Sequence, residues 1–201
     1  MGEPKLLELY VDTTSDGSIT QGDILFNFPV LVPVITNPTE LTEYSPENIA
    51  KRTAFDIHYT DLIIMTQSCD LVNNPAMSRK PLDYVVCATI RRIDKYTKKV
   101  IDNVNSGRMP AYYLLNKDDK FLSNSQIIDF TGIHTITYEF LNDFASKQTS
   151  RFKPSSPILE KISHHFGNYF SRIGLDYERE QKDLVEEYRV LKDELKEKVK
   201  Q

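Results

Sequence analysis

Apolar and polar positions alternate in short runs through the first two thirds of the chain, and the period then changes. Leu6 to Val11 reads as a short strand, with Asp16-Gly17 as a turn after it. "QGDILFNFPVLVPVI" (21–35) is strongly apolar but carries Pro29 and Pro33, which predicts a bent or edge strand. Residues 37–52 read as a loop with one helical turn, capped by Ser45 with Pro46 at its first position. "TAFDIHY" (53–59) puts Phe55, Ile57 and Tyr59 on one face, whereas "DLIIMT" (61–66) is continuously apolar, as in a strand buried on both faces. "DYVVCATIRRI" (83–93) is a second such strand. Ile93, Tyr96, Val100, Ile101 and Val104 then fall at helical spacing and predict an inserted amphipathic helix, stopped at Gly107. "AYYLL" (111–115), "QIIDF" (126–130) and "IHTIT" (133–137) predict three more strands, and "YEFLNDFA" a helix. This order predicts a mainly β (α+β) fold built on a small barrel.

After Arg151 the period becomes helical. Ser156 and Pro157 mark a helix start. Ile158, Leu159, Ile162, Phe166, Tyr169, Phe170 and Ile173 make a wide apolar stripe, and Gly174 ends it. Phe166, Phe170 and Ile173 are expected to pack on the barrel. Asp176 can cap a last helix, in which Leu184, Tyr188, Leu191 and Leu195 repeat at alternating steps of four and three. The expected organisation is a barrel domain over 1–150 and a helical extension over 151–201. The extension holds a packing helix (156–173) and a charged, coiled-coil-like helix (176–200).

Composition narrows the classes. The chain has 201 residues, 40% hydrophobic and 27% charged, an ordinary globular balance. Its net charge of -4 argues against a dominant nucleic-acid surface, though not against a local basic patch. Two cysteines, Cys69 and Cys87, are too few for a secreted disulfide scaffold, and no apolar segment follows Met1 as a leader would. No run approaches the roughly 20 apolar residues of a membrane span. The expectation is a cytoplasmic protein with reduced thiols and no membrane partner. No C-x-x-C or H-x-x-x-H spacing is present, so no metal and no cofactor are expected.

The order of several motifs resembles the MazF/PemK-like toxin family. "GDILFNF" (22–28) is similar to the strand that opens the SH3-like barrel of those proteins. "DLIIMTQSCDLVNN" resembles their next strand and loop, "DYVVCATIRRI" their third strand, and "FLSNSQIIDFTGIHTITYEFL" (121–141) their strand pair and short helix. The likeness covers about residues 20 to 145. The C-terminal region, with "HHFGNYFSRIGL" (164–175), looks like a set of poorly characterised bacterial proteins that join a Ser/Thr-Gln-x-Cys-Asp loop to an F-x-R-x-G-L helix end. The resemblance implies metal-independent cleavage of single-stranded RNA by an Arg and a Thr or Ser. It also implies a homodimer. This chain departs from the pattern, with Tyr59-Thr60-Asp61 where the family places Arg-Pro. Thr89 stands near the hydroxyl position, and Arg79, Arg91, Arg92 or Arg108 could supply the cation in space.

The remaining candidates read as follows. Gln67, Ser68, Cys69 and Asp70 form a candidate binding loop. In it Cys69 is either a nucleophile, with His58 or His134 as its base, or a small packed hydrophobe in a polar turn. Arg79, Lys80, Arg91, Arg92, Lys95, Lys98 and Lys99, with Tyr96 among them, form a candidate RNA-binding rim or a solvated helix face. Leu184, Tyr188, Leu191 and Leu195 form a candidate partner-binding seam. Cys87 reads as core. Of His164 and His165, one faces solvent and one borders the stripe. Arg172 complements a helix C-terminus. Asp23 and Asp129 read as carboxylates that secure turns or line a groove.

Two functional expectations follow. The first is a non-catalytic or regulatory barrel protein of a bacterial conflict, anti-phage or stress-response system, docking a protein partner through its C-terminal helices and binding RNA. The second is an enzyme, either a metal-independent endoribonuclease with relocated residues, using Thr89 or Cys69, or a Cys69-dependent enzyme on another substrate.

Overall fold

The computed structural model describes residues 8–35, 45, 49, 53–71 and 81–171. Seven antiparallel strands form one sheet: β1 (Tyr10–Asp12), β2 (Ile24–Ile35), β3 (Thr53–Ile64), β4 (Tyr84–Arg92), β5 (Tyr112–Leu115), β6 (Gln126–Thr137) and β7 (Phe152–Pro154). Their spatial order is β1-β7-β2-β3-β4-β6-β5. The helices given in full among the described residues are α1 (Ser68–Leu71), α2 (Lys98–Asn105), α3 (Tyr138–Ser146) and α4 (Ile158–Ser171).

The fold is therefore mixed α+β with a dominant sheet, but the sheet is not the closed barrel expected. β1 and β5 are edges and share no ladder. They do approach each other, because the Tyr10 hydroxyl on β1 donates to the Asn116 carbonyl just past β5 at 2.7 Å. A side chain makes the join that backbone pairing would make in a closed barrel.

Alternation on these strands sorts the core into two layers. Ile24, Ile63, Ala88, Ile90, Ile128 and Phe130 face α4, where Ile162 is fully buried and Phe166 and Tyr169 pack partly buried. Leu25, Phe28, Leu62, Ile64, Val85 and Cys87 face α3 and its Leu141, Phe144 and Ala145. Each fully buried Val, Leu, Ile or Phe among these contributes about 1.5–3 kcal/mol of transfer free energy. Phe170 does not join the packing as expected. It is 43% exposed, edge-on to Phe166 at 4.9 Å, and Ile173 lies outside the described residues.

Several elements differ from the sequence expectation. Residues 53–64 are one strand rather than two, and so are 126–137. The expected helix over 93–104 is a 3-10 turn at Ile93–Lys95 followed by α2. The side chain of Thr97, just before α2, accepts from Val100 N–H and resets the start. The strand β7 was not foreseen. It pairs with β1 and meets β2 at Ile24, so residues on both sides of Arg151 share one sheet.

The prolines of β2 are explained by its pairing. Among the described residues its strand partner over Phe28–Ile35 is β3 alone, so Pro29 and Pro33 can present their missing N–H to the side that no described strand pairs. β3 in turn pairs with β4 only over Asp61–Ile64. The outer half of the β2–β3 hairpin thus runs past the body of the sheet. On it Leu31, Phe55, Ile57 and Tyr59 are each between 55% and 64% exposed.

Candidate functional site

On β4, Val85 and Cys87 point toward α3, and by alternation Thr89 and Arg91 continue the same face. The neighbouring strand β6 is interrupted opposite this point. Ala88 pairs with Ile133, but Thr89 pairs with Asp129, so residues 130–132 form a bulge with no opposite residue. The bulge gathers a polar cluster at the edge of an otherwise apolar layer.

Asp129 anchors one side. It is 3% exposed. Its Oδ1 accepts from Thr131 N–H at 2.9 Å and from the Thr131 hydroxyl at 2.5 Å. Its Oδ2 accepts from Arg91 Nε at 2.6 Å. The Arg91 side chain is 49% exposed. That contact holds the guanidinium by its inner nitrogen, and the two Nη groups have no partner among the described residues. The hydrogen bond to Asp129 is also the main cause that raises the Arg91 pKa above its ordinary value. Tyr112, opposite Asp129 on β5, meets Tyr96 edge-on at 5.8 Å.

His134 stands on the other side. Its Nε2 lies 3.0 Å from Thr89 Oγ1, and that hydroxyl lies 3.0 Å from the Gly132 carbonyl. A carbonyl only accepts, so the hydroxyl proton belongs to Gly132. Thr89 Oγ1 then accepts from Nε2–H, which leaves the lone pair of His134 on Nδ1. Burial, and after it the positive Arg91, push the His134 pKa below 6.5. The ring is neutral at pH 7 and able to take a proton.

Thr89 itself is 6% exposed and serves to hold the bulge and the imidazole. Gly132 makes this possible, since a Cβ there would stand 2.7 Å from Thr89 Oγ1 and 3.0 Å from its Cβ. Gly132→Ala is expected to cost about 1–3 kcal/mol through this overlap. Combined with Thr89→Ala, the part of that cost due to Oγ1 should return while the Cβ contact remains, and a double-mutant cycle in urea unfolding measures the coupling. Additive losses would mean that the two residues do not share this space.

The loop Gln67–Asp70 has a different setting. The Thr66 hydroxyl accepts from Val86 N–H at 2.8 Å, and Ser68 Oγ accepts from Gln21 N–H at 3.1 Å. Gln21 Nε2 bridges Met65 O and Ser163 Oγ, both at 3.1 Å. Cys69 is exposed, with Sγ 3.6 Å from Gln67 Oε1 and 3.8 Å from Asp70 Oδ1. Neither histidine proposed as its base is at its side: His134 is bonded to Thr89, and His58 sits across from Val30 on the hairpin. Cys87 is core, and burial pushes its thiol up to about 12.

The basic rim is divided. Arg92 pairs with Asp94 at 2.7 Å and by alternation leaves β4 on the face opposite Arg91. Lys95, Lys98 and Lys99 are exposed around the start of α2, while Arg79 and Lys80 lie outside the described residues, as do Arg172, Leu184, Tyr188, Leu191 and Leu195. Of the arginines considered as substitute cations, Arg91 stands on the same face of β4 as Thr89. His164 is exposed and bonded to Asn168, while His165 packs on Tyr113 and Phe130. The sequence reading missed the link between His134 and Thr89 and the anchoring role of Asp129. The available signal was Gly132 inside an apolar strand pattern, which marks a bulge or a close approach.

No protein-family model matches the chain, and no curated protein matches it at a significant level. No helix among the described residues is long and apolar enough to cross a membrane.

Proposed function

We propose that the protein is a metal-independent endoribonuclease acting on single-stranded RNA, with Arg91 and His134 as its working groups. The observation that supports this most directly is the shared face of β4 and β6. On it stand an anchored, half-exposed guanidinium and an imidazole that feels its charge, is held neutral and is oriented through Thr89. The resemblance of residues 20–145 to MazF/PemK-like toxins supports the same reading, with Arg91 in place of the missing family arginine.

The chemistry balances without a further reagent. His134 Nδ1 takes the proton of a ribose 2′-hydroxyl. The 2′-oxygen attacks the adjacent phosphorus, the P–O5′ bond breaks, and the leaving 5′-oxygen takes a proton from water. The products are a 2′,3′-cyclic phosphate and a 5′-hydroxyl. The Nη groups of Arg91 stabilise the charge that builds on the phosphorane oxygens. Tyr96 and Tyr112 offer rings on which a flanking base can stack.

The test is incubation of purified protein with a long single-stranded RNA in excess chelator. Cleavage with a cyclic-phosphate end, lost in His134→Ala, is the expected outcome. Cleavage that survives in His134→Ala, or that appears only with added divalent metal, would overturn the mechanism. RNA binding without cleavage by folded protein would return the protein to the non-catalytic, regulatory reading.

A further inference from the structure

The outer half of the β2–β3 hairpin carries a surface that RNA cleavage does not use. Residues directly opposite one another on an antiparallel pair share a face. Pro29 stands opposite Tyr59, Leu31 opposite Ile57 and Pro33 opposite Phe55. One face of the hairpin therefore holds six apolar side chains with no charge between them. Phe28, Val30 and Val32 lie on the other face and join the α3 layer, so the six point away from that layer. Leu31, Phe55, Ile57 and Tyr59 are each more than half exposed. Asp61, next on that face, accepts from Asn27 N–H at 2.8 Å.

We propose that this face is a self-association surface, on which a second copy of the chain packs with its own β2–β3 face. Its area is sufficient. At roughly 200 Å² for a side chain of this size, the four exposed residues leave about 480 Å² open, and two copies face to face bury about 1,000 Å², near what a specific interface needs. Its pattern is self-complementary. Along β3 the face reads ring, aliphatic, ring, and along β2 it reads Pro, Leu, Pro. Reversing the strands leaves that pattern nearly unchanged, so a two-fold axis in the plane of the face lays Phe55 on the partner's Tyr59 with Ile57 at the centre. The result is an aligned packing of two sheets, in which an uncharged face meets its copy without like-charge repulsion.

The edge of the hairpin favours the same contact. Pro29 and Pro33 lack the N–H that a further strand would need on the side of β2 that no described strand pairs. A second copy thus meets the face rather than extending the ladder. Pairing and RNA cleavage are separable, because none of the six residues belongs to the Arg91–His134 cluster.

Sedimentation velocity of the full chain tests this with Ile57→Lys and Ile57→Asp. The position is exposed, and unchanged far-ultraviolet circular dichroism reports the fold of both variants. The unsubstituted protein should run as a dimer at micromolar concentration and dissociate on dilution. Each variant alone should run as a monomer, its dissociation constant raised about a hundredfold or more, because like charges then meet at the two-fold axis. Leu31→Lys, at the other central position, should act as Ile57→Lys does. An equimolar mixture of Ile57→Lys and Ile57→Asp chains should recover the dimer, since opposite charges now face each other. A monomer at every concentration would overturn the proposal and leave the face to a different partner. A dimer that the variants keep would place self-association on another surface. A mixture that stays monomeric would overturn the face-to-face arrangement.

Discussion

Arg151→Met should lose about 3–5 kcal/mol in urea unfolding at pH 7, the largest stability effect expected of a single substitution here. Arg151 is 2% exposed and ties a loop to the sheet. Its Nε and Nη2 donate to Thr13 O at 3.1 and 2.7 Å, and Nη2 also reaches Asp16 O at 2.6 Å. Removing it strands these carbonyls and leaves Asp23, fully buried, without the guanidinium 3.8 Å from its Oδ2. Thr13 Oγ1 and Thr20 N–H still donate to that carboxylate, each at 2.8 Å.

Burial is the larger influence on Asp23 and raises its pKa above 3.8, against those two hydrogen bonds and Arg151. The sign follows from proton linkage. The folded state holds the Asp23 proton more tightly than the unfolded state, so ionisation of Asp23 works against folding as pH rises. Loss of Arg151 makes that ionisation costlier. The deficit of Arg151→Met should therefore shrink when pH is lowered toward 4. An equal deficit at both pH values would place the whole effect in the lost carbonyl contacts. A deficit under about 1 kcal/mol would show that the loop repacks.

Arg91→Ala is expected to lower kcat/KM for RNA cleavage by about 10²–10³-fold, the usual cost of removing one preorganised group beside developing charge. Arg91→Lys should recover little, because a lysine cannot both bond Asp129 through an inner nitrogen and present two outer donors. The pH profile identifies the base. Since burial and Arg91 lower the His134 pKa, the acid limb of kcat/KM should have its midpoint below 6.5, with a plateau at neutral pH. A midpoint above 6.5 would assign the proton to another group. The same depression has a stability counterpart. The unfolded state binds the His134 proton more readily, so the native state keeps its full advantage above about pH 6.5 and loses it as pH falls through the folded value.

How much of this was legible beforehand depended on whether a feature is local. The apolar run Val85–Ile90 announces a buried strand, and the spacing of Thr89 and Arg91 by two already puts them on one face. Ile158, Ile162, Phe166 and Tyr169 likewise announce α4 by their period. Thr131-Gly132 reads as a turn between two strands, yet it is a bulge within one, and only the opposing strand decides between these. Asp129 and His134 join the cluster through that register, which no single run of residues encodes. β7 is three residues long, too short to show a period. Closure of a barrel is a property of its two edges. The residues of β1 and β5 carry no local mark of whether those edges will pair, and here the Tyr10 hydroxyl reaches across to Asn116 O just past β5.

The three unmatched residues of β6 have a consequence for how the sequence can vary. Side chains on a strand change sides with every residue, so an odd insertion exchanges the two sets beyond it. Ile133, before the break in register, faces α4, and so do Ile128 and Phe130 on its far side, although odd and even numbers have traded places. A change of two residues within 130–132 keeps that parity, although each of the three is in use there: Phe130 in the core, Thr131 on Asp129 and Gly132 on Thr89. A single deletion would turn Asp129 toward the α4 core and push Ile128 into the cluster, which links Arg91 to its anchor by a count of residues as much as by their chemistry.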